Sequence, residues 1–373
     1  MNVHPFRATT PDLDFVASPN LFFDEVKRNY SAYVDNGFYQ RRGREAMYIY
    51  RLTTPLRQHV GIVNTTHVSD YLEGRILKHE HTLAPKEQRM MHLMLQRKAQ
   101  IKPVLLAYHR HKPLSEFILR WIKKKKVSFA TTYYGETHEF WVVADPQSLQ
   151  QLQQLFGKGV SKCYIADGHH RCSTMALLSH RLEQRAEQPD AMAAHNFILS
   201  AYFPFEELDI HDYNRVVQHD ERLNLPRLMA QLSTFGAITP LEGYAKPGEA
   251  HTITFYMDQH WYALRWHEHV LDKYKTPGQR LDANLVTEEL LRTCFGVEDV
   301  RTDGRVKYVE GPTGDEGLQK RLGSRPNQVA FCLYPVQQEQ LIDIAEAGGV
   351  MPPKSTWFEP RIRNGMLVYK FLP

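Results

Sequence analysis

A twelve-residue run, Tyr164 to Met175 (YIADGHHRCSTM), constrains this chain more than any other feature. The apolar stretch Lys162 to Ala166 predicts a buried strand. Asp167 and Gly168 predict a sharp turn, and the helix-compatible residues from His169 to Gln188 follow, with Met175, Leu178 and Leu182 on one face. A strand that turns directly into a helix leaves the helix's first N–H groups and positive dipole end at the edge of a sheet. Such an end receives a phosphate readily. Gly168 lets the backbone approach closely. His170 and Arg171 add donors, Arg171 in a bidentate fork, and Ser173 and Thr174 add hydroxyls in the first turn. His169 completes the polar set. Asp167 is out of place in a cationic pocket unless it holds a metal such as Mg²⁺ or orients a histidine or a substrate hydroxyl. The plainer reading makes Asp167 a helix cap and the histidines surface residues. That accounts for one residue, not for His-His-Arg placed together behind a buried strand.

Composition narrows the surroundings. With 373 residues, 42% hydrophobic and 24% charged, the chain reads as globular and long enough for two domains. Lys plus Arg number 46 and Asp plus Glu 42, a net charge of +4. This is too small to imply nucleic acid from charge alone. No apolar run approaches the roughly 18–20 residues that cross a bilayer. The beginning, Met1 to Leu13, lacks an apolar signal core. Cys163, Cys172, Cys294 and Cys332 form no CxxC pair. A reduced, cytoplasmic setting is the expectation. The oligomeric state is left open. Lys123 to Lys126 reads as a solvated helix end that complements the dipole.

Periodicity predicts an α+β chain. Helices are expected over Leu21 to Val34, Tyr71 to Lys78, Pro85 to Lys98, Pro113 to Lys126, Pro146 to Phe156, Leu225 to Phe235, Leu281 to Phe295 and Val336 to Ala347. Met47 to Leu52 and His59 to Asn64 predict one hairpin, and Thr252 to Trp266 another. Val127 to Tyr134 and Glu139 to Ala144 are expected to pair. Pro103 to Tyr108, Asn196 to Phe205 and Val329 to Tyr334 are apolar strands, and Met366 to Phe371 is a closing strand. The change in character near residue 220 suggests domains at 1–220 and 221–373.

Two further clusters carry chemistry. In Lys78-His79-Glu80-His81, the alternating histidines would share one face of an extended segment. Without a third ligand at fixed spacing, a metal site is the weaker reading. A charged surface cluster is the simpler alternative. In Pro352 to Thr356, two prolines make a rigid loop presenting Lys354, Ser355 and Thr356. It either clamps a phosphate or carboxylate, or only packs one domain. Asn214 and Arg215, after the strand ending near Phe205, are expected at the mouth of a cleft. Tyr213 is expected in the core.

Asp-Gly-His-His-Arg after a strand resembles the phosphate-binding signature of the ParB/sulfiredoxin superfamily, in the variant of the ADP-dependent free serine kinases. The order LKHE, helix, PVLL, DGHHR agrees over Gly74 to Leu178, with a long insertion before the motif. Over nearly the whole chain, His4-Pro5-Phe6, Lys78-His79-Glu80, ADGHHR, Tyr213-Asn214-Arg215 and MPPKSTWF resemble a bacterial family known only as domain of unknown function ten-fifteen. The resemblance implies a ParB/sulfiredoxin-like mixed core with a second α+β domain at the C-terminus. It implies nucleotide-dependent phosphoryl transfer with ADP or ATP, aided by Mg²⁺, on a small hydroxylated metabolite such as serine or phosphoserine. Glu80 would act as base and Lys78 would meet a phosphate. A non-catalytic nucleotide sensor and a small-molecule phosphatase are the alternatives. Sulfiredoxin chemistry is disfavoured, because His169 stands where the reactive cysteine would lie and Cys172 follows Arg171 on the helix. Chromosome partition is disfavoured too, since no basic helix-turn-helix is visible.

Overall fold

The computed structural model describes residues 1–323 and 327–372. The fold is α+β, and the chain separates into two compact units. The first comprises Met1–Asp209 and Pro360–Pro373, and the second Ile210–Glu359. The division falls earlier than the composition change near residue 220. The strand Tyr213–Gln218 is hydrogen-bonded into the second unit's sheet. The tail differs as well. In place of a strand over Met366 to Phe371 there is the short strand Tyr369–Lys370. It pairs with Ala99–Gln100 in the first unit.

Among the described residues, the first unit is built on a nine-stranded mixed sheet. In spatial order its path runs Ile76–Leu77, Cys163–Asp167, Val104–Tyr108, Phe197–Pro204, Gln58–His67, Met47–Thr53, Glu136–Val143 and Phe129–Tyr133, with Val3–His4 added on Gln58–His67. The predicted hairpin forms, with Met47–Thr53 antiparallel to Gln58–His67. Its central strands are apolar because both faces are covered: all five residues of Val104–Tyr108 and all eight of Phe197–Pro204 are buried. Helices Pro19–Asp35, Ala84–Arg97, Lys112–Lys124 and Pro146–Gly159 each carry a proline in their first turn, where no donor is lost.

One expected helix is mostly absent. Tyr71 to Lys78 yields only the turn Ser69–Leu72, followed by the strand Ile76–Leu77. Ile76 and Leu77 pair in parallel with Cys163 and Tyr164. A sheet partner far along the chain therefore overrides the local helical pattern.

The second unit carries a six-stranded sheet, ordered Gly236–Leu241, His260–Trp266, Thr252–Met257, Gln328–Cys332, Tyr213–Gln218 and Val306–Glu310. Its main core gathers Phe255, Phe331, Leu264, Leu285, Leu290 and Leu291. The predicted helix over Leu281 to Phe295 is present as helical Asp282–Leu285 and Arg292–Phe295 joined by a π-helical turn, Val286–Leu291.

Candidate functional site

The sheet order brings three separate stretches to one edge. Cys163–Asp167 lies between Ile76–Leu77, which runs parallel to it, and Val104–Tyr108, which runs antiparallel. The parallel neighbour therefore delivers the residues after Leu77, namely Lys78, His79 and Glu80, to the end of the strand where Asp167 lies. The antiparallel neighbour delivers the residues before Val104, including Lys102. A register shift between Ile165 and Asp167 breaks the ladder just before the turn.

Gly168 has φ +113° and caps the helix His169–Glu183 without a side-chain hydrogen bond. Its carbonyl accepts from Cys172 N–H at 2.9 Å. The capping reading of Asp167 is thus set aside. A Cβ at Gly168 would sit 2.7 Å from Arg171 Nη2, so the glycine also makes room for that guanidinium.

Asp167 anchors cations. Its Oδ2 accepts from Lys102 Nζ at 2.9 Å and from Arg171 Nη2 at 3.1 Å, and lies 3.8 Å from Arg361 Nη1. Arg171 Nη2 also donates to the Asp167 carbonyl at 3.2 Å. Burial opposes ionisation of this carboxyl, but Arg171, Lys102 and Arg361 hold it well below the usual carboxylate range. Burial lowers the Lys102 ammonium to about 8, against the pull of Asp167 and with the repulsion of Arg171 and Arg361.

The expectation of a metal at Asp167 is corrected by this donor set. Three cations already converge on one carboxylate oxygen, and a divalent ion would meet their charge. Among the described residues no group of three His, Cys, Asp or Glu side chains is placed to hold a metal, so His79 and His81 gain no third partner.

On the neighbouring strand end, Glu80 Oε2 lies 3.8 Å from His169 Nδ1. His169 is buried, and its Nε2 accepts from the His79 N–H at 3.5 Å. Burial, with His79, holds the imidazole well below its ordinary value against the opposing pull of Asp167. The ring is therefore neutral, with its hydrogen on Nδ1, facing Glu80. His79 is itself buried, packs edge-on against His169 at 4.4 Å, and is lowered by burial to about 4. His170 Nε2 accepts from Leu83 N–H at 3.2 Å, tying the motif helix to the start of Ala84–Arg97. The cationic character expected of the histidines comes instead from Lys102, Arg171 and Arg361.

The remaining expected residues fall variously. Lys78 is exposed. Ser173 Oγ donates to His170 O at 3.3 Å. Ser173 also lies beside Glu87, a carboxylate that the sequence reading missed. Hydrogen bonds from Thr82 and Ser173 hold Glu87 low, and His170 and Lys78 add to this. Thr174, expected in the first turn, is the sixth residue of the helix His169–Glu183 and is fully buried.

Asn214 and Arg215 belong to the second unit and are corrected by burial, at 0% and 1% exposure. Asn214 Oδ1 accepts from Leu333 N–H at 3.0 Å. Arg215 donates to the carbonyls of Tyr213, Lys354 and Pro353. Arg215 thereby holds the Pro352–Thr356 loop onto the sheet, while Asn214 satisfies the amide just beyond Gln328–Cys332. In that loop Ser355 Oγ donates to Pro352 O at 2.7 Å, and Lys354 Nζ lies 5.2 Å above the Tyr213 ring. Thr356 is half-buried and Tyr213 is buried, as expected of the latter.

Lys102 and Arg361 were missed because each reaches Asp167 only through the tertiary fold. An isolated lysine before a proline and an arginine near the end of the chain carry no local signal. All four cysteines are free, and Cys172 is buried with its thiol pushed up by that burial. It has the surroundings of a packing residue.

The architecture and site define an α+β protein with a glycine-capped strand-to-helix turn and a clustered set of cations at one sheet edge. The chain belongs to the family described as "Protein of unknown function (DUF1015)", which matches residues 7–284. No curated protein matches it. Among solved structures it is similar to a free serine kinase variant in complex with ADP, at 14% identity and TM-score 0.40, covering 79% of this chain and 87% of that one. It is also similar to SbnI with a C-terminal truncation from Staphylococcus aureus, at 12% identity and TM-score 0.42, covering 81% and 85%. A conserved hypothetical protein from Pyrococcus furiosus gives 13% identity and TM-score 0.39, covering 81% and 93%. Among the described residues no helix is long and apolar enough to cross a membrane.

Proposed function

We propose that this chain is a phosphotransferase that moves a phosphoryl group between a nucleotide, ADP or ATP, and a small hydroxylated metabolite, with serine or phosphoserine as the first substrates to test. One observation carries the reading. A helix end capped by Gly168 adjoins three cations gathered on Asp167, and the Glu80 carboxylate, three residues beyond the adjacent parallel strand, stands beside His169. Phosphoryl transfer asks chiefly for positioning and charge neutralisation, and this arrangement supplies both. The resemblance of DGHHR to the free serine kinase variant of the ParB/sulfiredoxin signature points the same way.

In this reading the backbone at Gly168, His170, Arg171 and Lys102 hold the phosphoryl group. The substrate hydroxyl oxygen bonds to phosphorus, the bond to the leaving phosphate oxygen breaks, and the hydroxyl proton passes to Glu80. Neutral His169 offers Nδ1–H toward that carboxylate and orients it. Lys78, at the rim, meets the outer part of the anion. Asp167 binds no metal here; it positions Lys102 and Arg171.

The test is a transfer and phosphate-release assay with ADP or ATP and serine or phosphoserine. Glu80→Gln is expected to cut turnover by about 10²–10⁴-fold, the worth of a general base, while nucleotide affinity measured by calorimetry stays near that of the parent. Release of phosphate without transfer would make the protein a phosphatase. Nucleotide binding with no turnover in any combination would make it a sensor and overturn the proposal.

A further inference from the structure

The basic run Lys123 to Lys126 lies outside the candidate site and has no part in the chemistry proposed for it. The helix that leads into it, Lys112–Lys124, buries Leu114, Phe117 and Ile118 in the first unit. Arg120 and all four lysines of the run are exposed. Complementing the helix dipole accounts for only part of this charge. The effect fades beyond the last turn, whose basic residues are Lys123 and Lys124. Lys125 is the C-cap, in extended conformation, and Lys126 lies beyond the helix. Arg120 stands a turn before Lys124.

These five cations have little to neutralise them. Among the described residues none of the five makes an ion pair. The helix's own carboxylate, Glu116, faces Lys112 at 4.0 Å. Asp145 accepts from Ser148 N–H at 2.9 Å as the cap of Pro146–Gly159. That bond lowers its carboxyl most, and Lys125 adds only a lesser pull. Lys125 Nζ lies 5.5 Å from the centre of the Trp121 ring, so its stem lies along the indole.

Apolar side chains flank the charge. Leu119 is 59% exposed and Val127 38%. Leu119 and Lys123 are four residues apart, as are Arg120 and Lys124, so each pair shares a strip of the helix's exposed side. Cations set among exposed aliphatic side chains at a helix end suit anionic lipid: headgroups meet the charge and the aliphatic groups enter between them. A nucleic-acid surface draws on bidentate arginines or exposed stacking rings. Here four of the five cations are lysines, and the flanking exposed side chains are aliphatic.

We propose that the C-terminal end of Lys112–Lys124, continued through Val127, is a docking surface for an anionic phospholipid membrane, which the protein binds from one side without crossing it. Arg120 and the lysines meet lipid phosphates, and Leu119 and Val127 enter the boundary between headgroups and acyl chains. The surface is independent of the phosphoryl-transfer reading.

The experiment is co-sedimentation of the full-length protein with vesicles of phosphatidylcholine alone and of phosphatidylcholine mixed with phosphatidylglycerol. Wild type is expected to bind the mixed vesicles and leave the neutral ones. Binding should fall steeply as salt rises from about 0.1 M to about 1 M, because the screening length shrinks from about 10 Å to about 3 Å. The triple variant Lys123→Gln/Lys124→Gln/Lys126→Gln leaves Lys125 on Trp121. Its partition onto the mixed vesicles is expected to drop by about fivefold for each charge lost, about a hundredfold in all. The matching arginine variant, Lys123→Arg/Lys124→Arg/Lys126→Arg, is expected to bind as wild type does. Leu119→Ser is expected to weaken binding several-fold with the salt dependence unchanged. All these side chains are exposed, so the melting temperatures should barely move. Equal binding to neutral and mixed vesicles would overturn the proposal, as would equal binding of the triple glutamine variant and wild type. Capture of duplex DNA through the same lysines, without binding to vesicles, would make the patch a nucleic-acid surface and overturn it too. A Leu119→Ser variant that binds as wild type does would overturn the choice of lipid, since the aliphatic flank is what favours it.

Discussion

Asp167 shares one carboxylate oxygen among Lys102, Arg171 and Arg361. Its neutral isostere would leave three cations facing each other. Removing one partner from a fully buried pair costs about 3–5 kcal/mol. Solvent reaches a quarter of this side chain, so screening brings the expected loss for Asp167→Asn to about 1–3 kcal/mol. Added phosphate or sulfate should restore the melting temperature of this variant more than it raises that of wild type, since an anion takes the place of the lost charge. Equal anion responses in calorimetric melts of the two proteins would contradict the anchoring role. Lys102 sets a pH dependence at the same site. Its ammonium, brought down to about 8 by burial, is charged below that pH and neutral above it. Phosphate affinity should therefore be full near pH 7 and decline as pH rises through 8. Lys102→Met should show weaker binding without that decline, as titrations between pH 6.5 and 9 would reveal.

At the scale of elements, the turn between Cys163–Asp167 and His169–Glu183 depends on one glycine. Gly168→Ala would place a side chain at φ +113° and a Cβ 2.7 Å from Arg171 Nη2. A residue held in a sparsely populated backbone region costs about 1–3 kcal/mol, and here the guanidinium must also move. The expected outcome is a loss of that order in urea unfolding together with weakened phosphate binding. A variant as stable and as tightly binding as wild type would show that the turn tolerates another conformation. The parallel strand Ile76–Leu77 shows how an element can hide from periodicity. Two residues are too few to display alternation, and their pairing with Cys163 and Tyr164 joins distant parts of the chain. Longer helices and hairpins were legible because their apolar spacing is a property of adjacent residues.

On the scale of the whole molecule the two units have their own sheets and their own titrating groups. In the second unit, Asp282 accepts from His251 N–H and Trp266 Nε1–H, yet burial dominates and raises its carboxyl to about 7. The unfolded chain releases this proton near the ordinary carboxylate value, so between that pH and 7 the folded state holds the extra proton. The stabilising contribution is full below the unfolded value and is lost as pH rises through 7. Hydrogen exchange in the Asp282–Phe295 segment should accordingly be faster at pH 8 than at pH 5.5, after correction for intrinsic rates. Unchanged protection across that range would show that Asp282 is ionised in the folded protein throughout.

The sequence by itself determined the strand, the glycine turn and the helix that opens with two histidines and an arginine. It also brought Glu80 into consideration. These depend on local propensity, on a backbone angle that only glycine adopts easily, and on a motif read within a short window. It did not reveal what Asp167 does. A carboxylate among basic neighbours suggests a metal until Lys102 and Arg361 arrive from distant parts of the chain and claim it. Nor did it show that Asn214, Arg215 and Thr174 are buried: polar residues are mostly exposed, and their burial is decided by partners such as the Leu333 amide and the Pro353 and Lys354 carbonyls. Only the tertiary structure fixed the charge of the site, because electrostatic partners are chosen by distance in space, and strand order sets that distance without regard to separation along the chain.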